Sequence, residues 1–371
     1  RGQEMFVEKM ILMYIWLCVS LILFNIFWIL WTVIDQRQYI KRSQKLNRLL
    51  DKQLERLEKG LPVTRQHLQY LQKELPRVKY LMAFAELLDR KAVGQQDYFD
   101  EYLRTLSPIF EFLARKYQQQ KVISKSYFAH VLAHPRLARN LNTDALAKIL
   151  FFYLQEDSIH CQANVMKALF SFGDVSSVMR GIRILDRLEI YFHGKLLTDG
   201  LLTFQGSHQE LSQTLWKNLF QFRIPIQVAL LDYLRFTTGA YQEELAVLMG
   251  DASVHPEVQF AIIRYFTKYP FPAAREKLLA FLQIKDKDRW QYPALAATAL
   301  AAYPDQEVAG ALQKALSSSN WYIRYNAAKS LTSMQMDLAE IAQVINGDDR
   351  FAREILQYFM EYNPNFKPSM G

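Results

Sequence analysis

Two cysteines, thirteen glycines and twelve prolines are few for a chain of 371 residues. Each shortage removes an architecture. Cys18 lies in an apolar run near the N-terminus, which leaves Cys161 alone in the rest of the chain. No disulfide framework is possible there, and this suits a reducing compartment. Scarce glycine and proline disfavour many short strands with tight turns and favour helices. Motifs of chemistry are scarce as well. The sequence has no Gly-rich phosphate loop, no G-x-S-x-G elbow, no H-E-x-x-H and no paired C-x-x-C. No catalytic residue, cofactor or metal is expected, and the chain reads as a non-enzyme. His130 and His134 are four apart, but Pro135 ends their helix and no third ligand is evident.

Charge is also missing, from two regions. The 25 residues Met10–Ile34 carry none at all. About 20 apolar residues cross the hydrocarbon core of a bilayer, so this run is expected to be a transmembrane helix. A cleaved signal peptide would want a basic start, a shorter apolar region and a small-residue cleavage site. The start here has two bases against two acids, and Met5 reads as a natural beginning. The second poor region is 93–371, where 29 basic and 28 acidic residues give only +1. The formal charge of +8 sits almost wholly in residues 35–92, at +7. That distribution speaks against a nucleic-acid partner, which would want the charge on the folded domain.

The basic neck sets the orientation. Arg37, Lys41, Arg42, Lys45 and Arg48 follow the run, opposed by Asp35 alone. Basic flanks stay cytoplasmic, which puts residues 1–9 outside and the rest inside a cell membrane. These five residues are the expected contacts with anionic lipid of the bilayer. Within the run, Ser20, Asn25 and Trp28 are the candidate contacts with a partner in the membrane, Asn25 through hydrogen bonding. Past the neck, Leu46, Leu50, Leu54, Leu57 and Leu61 share one helical face, and Gly60 and Pro62 stop the helix. The stripe is expected to dock on the chain's own next helix, about 64–90, in which Pro76 predicts a kink or short break.

What is present is a repeat. Taking the bulky residue that closes every second helix gives Leu169, Leu202, Leu234, Phe266, Leu300, Leu331 and Phe359. The steps are 33, 32, 32, 34, 31 and 28. Apolar pairs stand three and four residues before most markers, for example Ile262 and Ile263; the 202 unit is the poorest, with Thr198 and Asp199. Seven before the markers the column reads Gln162, Lys195, Gln227, Gln259, Pro293, Arg324 and Ala352, which is mostly polar. A helix pair of this size cannot bury its apolar face alone, whereas stacked pairs can.

The unit resembles the HEAT repeat in its short bacterial form. Ser317–Leu331, SSSNWYIRYNAAKSL, carries the likeness: turn, aromatic, Ile-Arg, then Ala-Ala-x-x-Leu. The expected fold is therefore all-α: one transmembrane helix (10–34), basic juxtamembrane helices (35–92), degenerate repeats (93–142), HEAT-like repeats (143–362) and a tail (363–371). The resemblance implies a right-handed solenoid of antiparallel pairs. The exposed positions Asp232, Arg235, Arg264, Lys268, Arg324 and Lys329 are its candidate protein-binding strip.

The overall plan is similar to bacterial membrane-anchored HEAT proteins that accompany membrane-embedded processive glycosyltransferases of the cellulose-synthase-like kind. That resemblance implies an accessory or scaffold role in making an exopolysaccharide, with an integral membrane protein as partner. Two other readings are a tethered HEAT-like enzyme, a lyase or one acting on nucleic acid, and an adaptor that answers lipid or signal through the basic neck. The enzyme would need a basic, aromatic-lined groove, for which Trp216, Trp290 and Trp321 are available.

Overall fold

The computed structural model describes residues 2–91, 96–190, 192–334 and 344–362. Among these residues there is helix and no strand. The tail 363–371 and the stretch 335–343 lie outside the described residues. The chain divides into two compact units, Arg1–Phe172 and Gly173–Gly371.

The first unit begins with α1, a single helix of 57 residues, Gly2–Glu58. It is long and apolar enough to cross a membrane, and none of its most apolar stretch is buried. It stops where Gly60 adopts φ 71°, a left-handed conformation that glycine reaches without a Cβ clash. Leu61 N–H then closes on Arg56 O at 2.9 Å. Leu46, Leu50, Leu54 and Leu57 are buried as expected, but Leu61 is exposed. Its place in the stripe fails because the helix has already ended.

Next come α2 (Arg65–Glu74) and α3 (Val78–Lys91). They are separated by a break at Pro76, because proline removes a backbone donor and clashes with the preceding turn. Proline also divides two stretches that look like single helices. These are α4 (Gln96–Thr105) and α5 (Ser107–Gln118), then α6 (Val122–Leu132) and α7 (Pro135–Asn140). The unit closes with α8 (Thr143–Tyr153) and α9 (Ile159–Phe172). α2, α5 and α8 pack in one row, while α3, α6 and α9 form a second. The repeat architecture therefore reaches back to residue 65, into the stretch read as juxtamembrane. α1 lies against α3 and α4 as an end cap.

Hydroxyls staple one row lengthwise. Tyr117 donates to Leu75 O at 2.9 Å, and Tyr153 to Ala114 O at 2.5 Å. The first satisfies the carbonyl of the α2 C-cap, which has no partner within its own helix, and the second adds a bond to a carbonyl in the last two turns of α5.

His67, on α2, is buried and hydrogen-bonded to Tyr102 Oη at 2.8 Å. Burial pulls its pKa down from 6.5 to about 4, so it is neutral in the fold. The unfolded chain binds the proton more readily, and stability is therefore lost as pH falls from about 6.5 to about 4. The expected loss is about 2–3 kcal/mol, the lower figure allowing for solvent screening. Urea midpoints measured at pH 7.5 and pH 4.5 should separate less in His67→Gln than in the parent. Equal separation would show that His67 does not titrate this way.

The second unit is more regular. Its helices are α10 (Val175–Arg187), α11 (Gly194–Leu202), α12 (His208–Asn218), α13 (Ile224–Thr237), α14 (Gln242–Met249) and α15 (Pro256–Tyr265). They continue as α16 (Pro272–Leu282), α17 (Gln291–Leu300), α18 (Gln306–Ala315), α19 (Trp321–Ser333) and α20 (Arg350–Tyr362). Short connections make the partners of each pair antiparallel. The odd-numbered helices α11 to α19 stack in sequence, and α19 meets α20.

Two markers move by one residue. Leu202 is exposed and Leu201 is buried in its place. In α20 the helix register matches Ile323 with Ala352 and Ala327 with Leu356, all four buried. Met360 is then the counterpart of Leu331, and Phe359 is not. The weak 202 unit has a physical explanation too. Thr198 is polar but buried, and its hydroxyl donates to Ala229 O on the neighbouring α13 at 2.9 Å.

Four members of the polar column, Gln162, Gln227, Gln259 and Arg324, share one job, and Arg353 takes it up in α20. Gln162 Nε2 donates to Glu156 O at 2.8 Å, Gln227 Nε2 to Phe222 O at 2.6 Å, and Gln259 Nε2 to Asp251 O at 2.7 Å. Arg324 reaches Ser318 O at 2.6 Å, and Arg353 reaches Gly347 O at 3.3 Å. In each case the first turn of a second helix ties down a carbonyl of the loop before it. The column is polar because a buried carbonyl left unpaired costs about 1–3 kcal/mol.

Candidate functional site

Four of the six strip residues come together on the surface of α13 and α15. Asp232 Oδ1 lies 3.3 Å from Arg235 Nη2 and 3.5 Å from Arg264 Nε. The Arg235 guanidinium stands over the Phe236 ring at 4.6 Å. Lys268 Nζ donates to Phe236 O at 3.0 Å, at the end of α13 where the helix dipole favours a cation. The same ammonium faces the rings of Phe236 and Tyr269 at 5.9 and 5.4 Å. One carboxylate thus gathers two of three cations around an exposed phenylalanine. Such a cluster, an aromatic anchor ringed by cations, fits an acidic protein surface.

The periodicity explains the gathering. Asp232 to Arg264 and Phe236 to Lys268 are both 32 residues, one repeat, so they fall in matching columns of adjacent helices. Lys329 is exposed in the column of Asp232 and Arg264, but Thr298 stands between them. Arg324 does not belong to this cluster. Its guanidinium serves Ser318 O and lies 5.4 Å from the Phe351 ring.

Arg324 borders something the sequence did not announce. Between α19 and α20 is a cavity of about 350 Å³, lined by Trp321, Tyr325, Phe351 and Tyr358 among others. A larger groove of about 1200 Å³ follows the turns of α16, α18 and α19, with Lys285, Lys287 and Lys314 along it and Gly310 and Ala311 in its lining. The exposed aromatics at the start of α19 were the available signal for the first. The second has none, because small residues and lysines read equally well as a solvated face. Of the tryptophans, Trp216 stacks on Tyr241 at 4.5 Å and Trp290 on Tyr322 at 5.0 Å. Among the described residues no three His, Cys, Asp or Glu side chains are placed to hold a metal. His134 lies beyond the end of α6, with Nε2 3.3 Å from Asp89 Oδ1.

Residues 283–356 match the family model for HEAT repeats. The match takes in α17, the α18/α19 pair and the first half of α20. The helix pairs before it in the second unit lie outside the match. A search of the curated proteins found no match to the chain.

On α1, Arg37, Lys41 and Arg48 are exposed. Arg42 is engaged by its own chain, donating to Gln38 Oε1 at 3.1 Å and standing over Tyr80 at 5.3 Å. Lys45 faces the Tyr70 ring at 4.8 Å. In the apolar run, Trp28 is exposed and stacks on Phe24 at 6.3 Å. Asn25 Nδ2 donates to Leu21 O at 2.8 Å. Ser20 lies about 140° around the helix from Asn25, so the three candidate contacts do not share one face.

Proposed function

We propose that this protein is a non-catalytic, membrane-anchored accessory subunit whose HEAT repeats hold an integral membrane partner at the inner leaflet. One observation carries the reading. α1 is an unbroken helix that is bare and apolar above and packed into the repeats below. A bare apolar surface of that length needs a cover other than water, and a bilayer supplies it. The continuity also favours an anchor over a removable signal, since the same helix forms part of the folded core.

In this reading residues 10–34 span the cell membrane, the N-terminus is outside and the repeats are cytoplasmic. Arg37, Lys41 and Arg48 meet anionic lipid, each contributing roughly 1 kcal/mol. The repeats form a right-handed solenoid, and the Asp232–Arg235–Arg264–Lys268 cluster is the cytoplasmic contact. The plan of the chain supports a processive glycosyltransferase making an exopolysaccharide as the partner class.

The test is purification from native membranes in a mild detergent. A membrane glycosyltransferase should co-purify with the parent chain. The double variant Arg235→Glu, Arg264→Glu should retain less of it, by about tenfold, as expected for truncating a central charged contact. Recovery of the chain alone, with a measurable activity of its own, would reject the accessory role.

A further inference from the structure

Residues eighteen apart on a straight α-helix differ by five full turns and point the same way. Asn25 and Ser43 of α1 are such a pair. Ser43 is buried and accepts a hydrogen bond from Arg90 Nη2 at 3.1 Å. Leu50 and Leu54, within about 20° of it, are buried under α3 and α4. The same face, followed upward, carries Thr32, Asn25 and Cys18 at intervals of seven. The face that the chain covers with its own helices below is therefore uncovered through the apolar run, and there it carries hydrogen-bonding side chains.

Asn25 is the demanding member. It lies about 5 Å along the axis from the middle of Met10–Ile34, deep in the hydrocarbon if that run spans. One amide N–H goes to Leu21 O at 2.8 Å. Among the described residues neither the carbonyl oxygen nor the second N–H has a partner, and hydrocarbon offers none. The Thr32 hydroxyl, by contrast, already donates to Trp28 O at 2.8 Å.

A second copy does not fit this face. Lys79 of α3 pairs with Asp35, and Tyr39 Oη donates to Glu86 of α3 at 2.5 Å, so α3 rises to the level of residue 35 on this side. A parallel copy of α1 would continue as helix to Glu58 and run into it. The occupant has to end, or turn away, at the inner membrane surface.

We infer that the Cys18–Asn25–Thr32 face of α1 docks a membrane-spanning helix of a different protein. That helix offers an amide, hydroxyl or carboxyl near mid-membrane and leaves the membrane directly above α3. The inference rests on the proposed membrane span and adds to it the face, the chemistry and the exclusion of self-pairing.

The test uses the full chain in its native membranes with photoreactive p-benzoylphenylalanine at position 18 or, on the opposite side, at position 20. Position 18 should yield one discrete adduct with another integral membrane polypeptide. The yield should fall about fivefold at position 20, and about fivefold when Asn25→Leu accompanies the probe at 18, the scale of one interhelical hydrogen bond. An adduct at twice the chain's own mass, equal yields from both sides, or labelling of lipid alone overturns the inference. Alkaline carbonate extraction separates the two failures. Release of the chain from membranes removes the anchor reading together with its docking face. Retention without a side-specific adduct removes the docking face only.

Discussion

Phe128→Ala should lower the unfolding free energy of the first unit by about 3–5 kcal/mol, the range for deleting a fully buried aromatic. Phe128 is wholly inaccessible, with its ring 4.8 Å from Tyr117 and 6.2 Å from Phe110. Phe110 in turn lies 6.0 Å from Phe84 on α3. These rings join two consecutive pairs of the stack, α2/α3 and α5/α6. Tyr117 also holds Leu75 O, so a cavity beside it loosens that hydrogen bond as well. Far-ultraviolet circular dichroism during urea titration in detergent would give the loss. A change below about 1 kcal/mol would mean that the rows of α2–α9 are not packed as described.

Leu50→Asp should release α1 from α3 and α4. The substitution places an unpaired carboxylate in a contact where Leu46, Leu50, Leu54 and Leu57 are all buried. Lys91, on the facing helix, is already paired with Asp51 at 2.6 Å. An uncompensated buried charge costs about 3–5 kcal/mol. Hydrogen exchange should accelerate in residues 39–58, while residues 10–34, the proposed span, stay as protected as in the parent. Leu61→Asp is the control: Leu61 is exposed past the helix end, and its effect should stay within about 0.5 kcal/mol. Equal effects of the two variants would contradict the docking of α1.

Both predictions concern elements that the sequence announced to different degrees. The leucine stripe of α1 was legible because its period of three and four is a local property of helix geometry. The break at Pro76 was legible for the same kind of reason, since proline acts on its own turn. That Leu61 drops out of the stripe depended on the left-handed turn at Gly60, which shifts where the helix stops. The repeats in 93–142 were harder to read. Extra helices α4 and α7 interrupt the pairs there, and a fixed period no longer marks equivalent positions.

The candidate strip shows the same division. Asp232, Arg235, Arg264 and Lys268 were read as exposed positions, and repeat spacing brings them together, but of the four Lys268 alone is exposed; the other three are half-buried in their own ion pairs. Arg324 has the same residue type in a different column, seven before the marker, where its side chain is drawn inward to Ser318 O. Residue type and exposure do not distinguish an arginine that staples a loop from one that meets a partner. Only the hydrogen bond does.

By itself, the sequence determined the all-helical class, the apolar run Met10–Ile34, the basic neck and the repeat of about 32 residues, since each rests on composition or on a period along one chain. The tertiary structure decided which of those positions are spoken for. It showed Arg42 engaged at Tyr80, the polar column tied to loop carbonyls, and α3 covering one face of α1 up to the level of residue 35. Helical periodicity says which residues share a face, whereas only the packing of distant segments says what, if anything, already covers it.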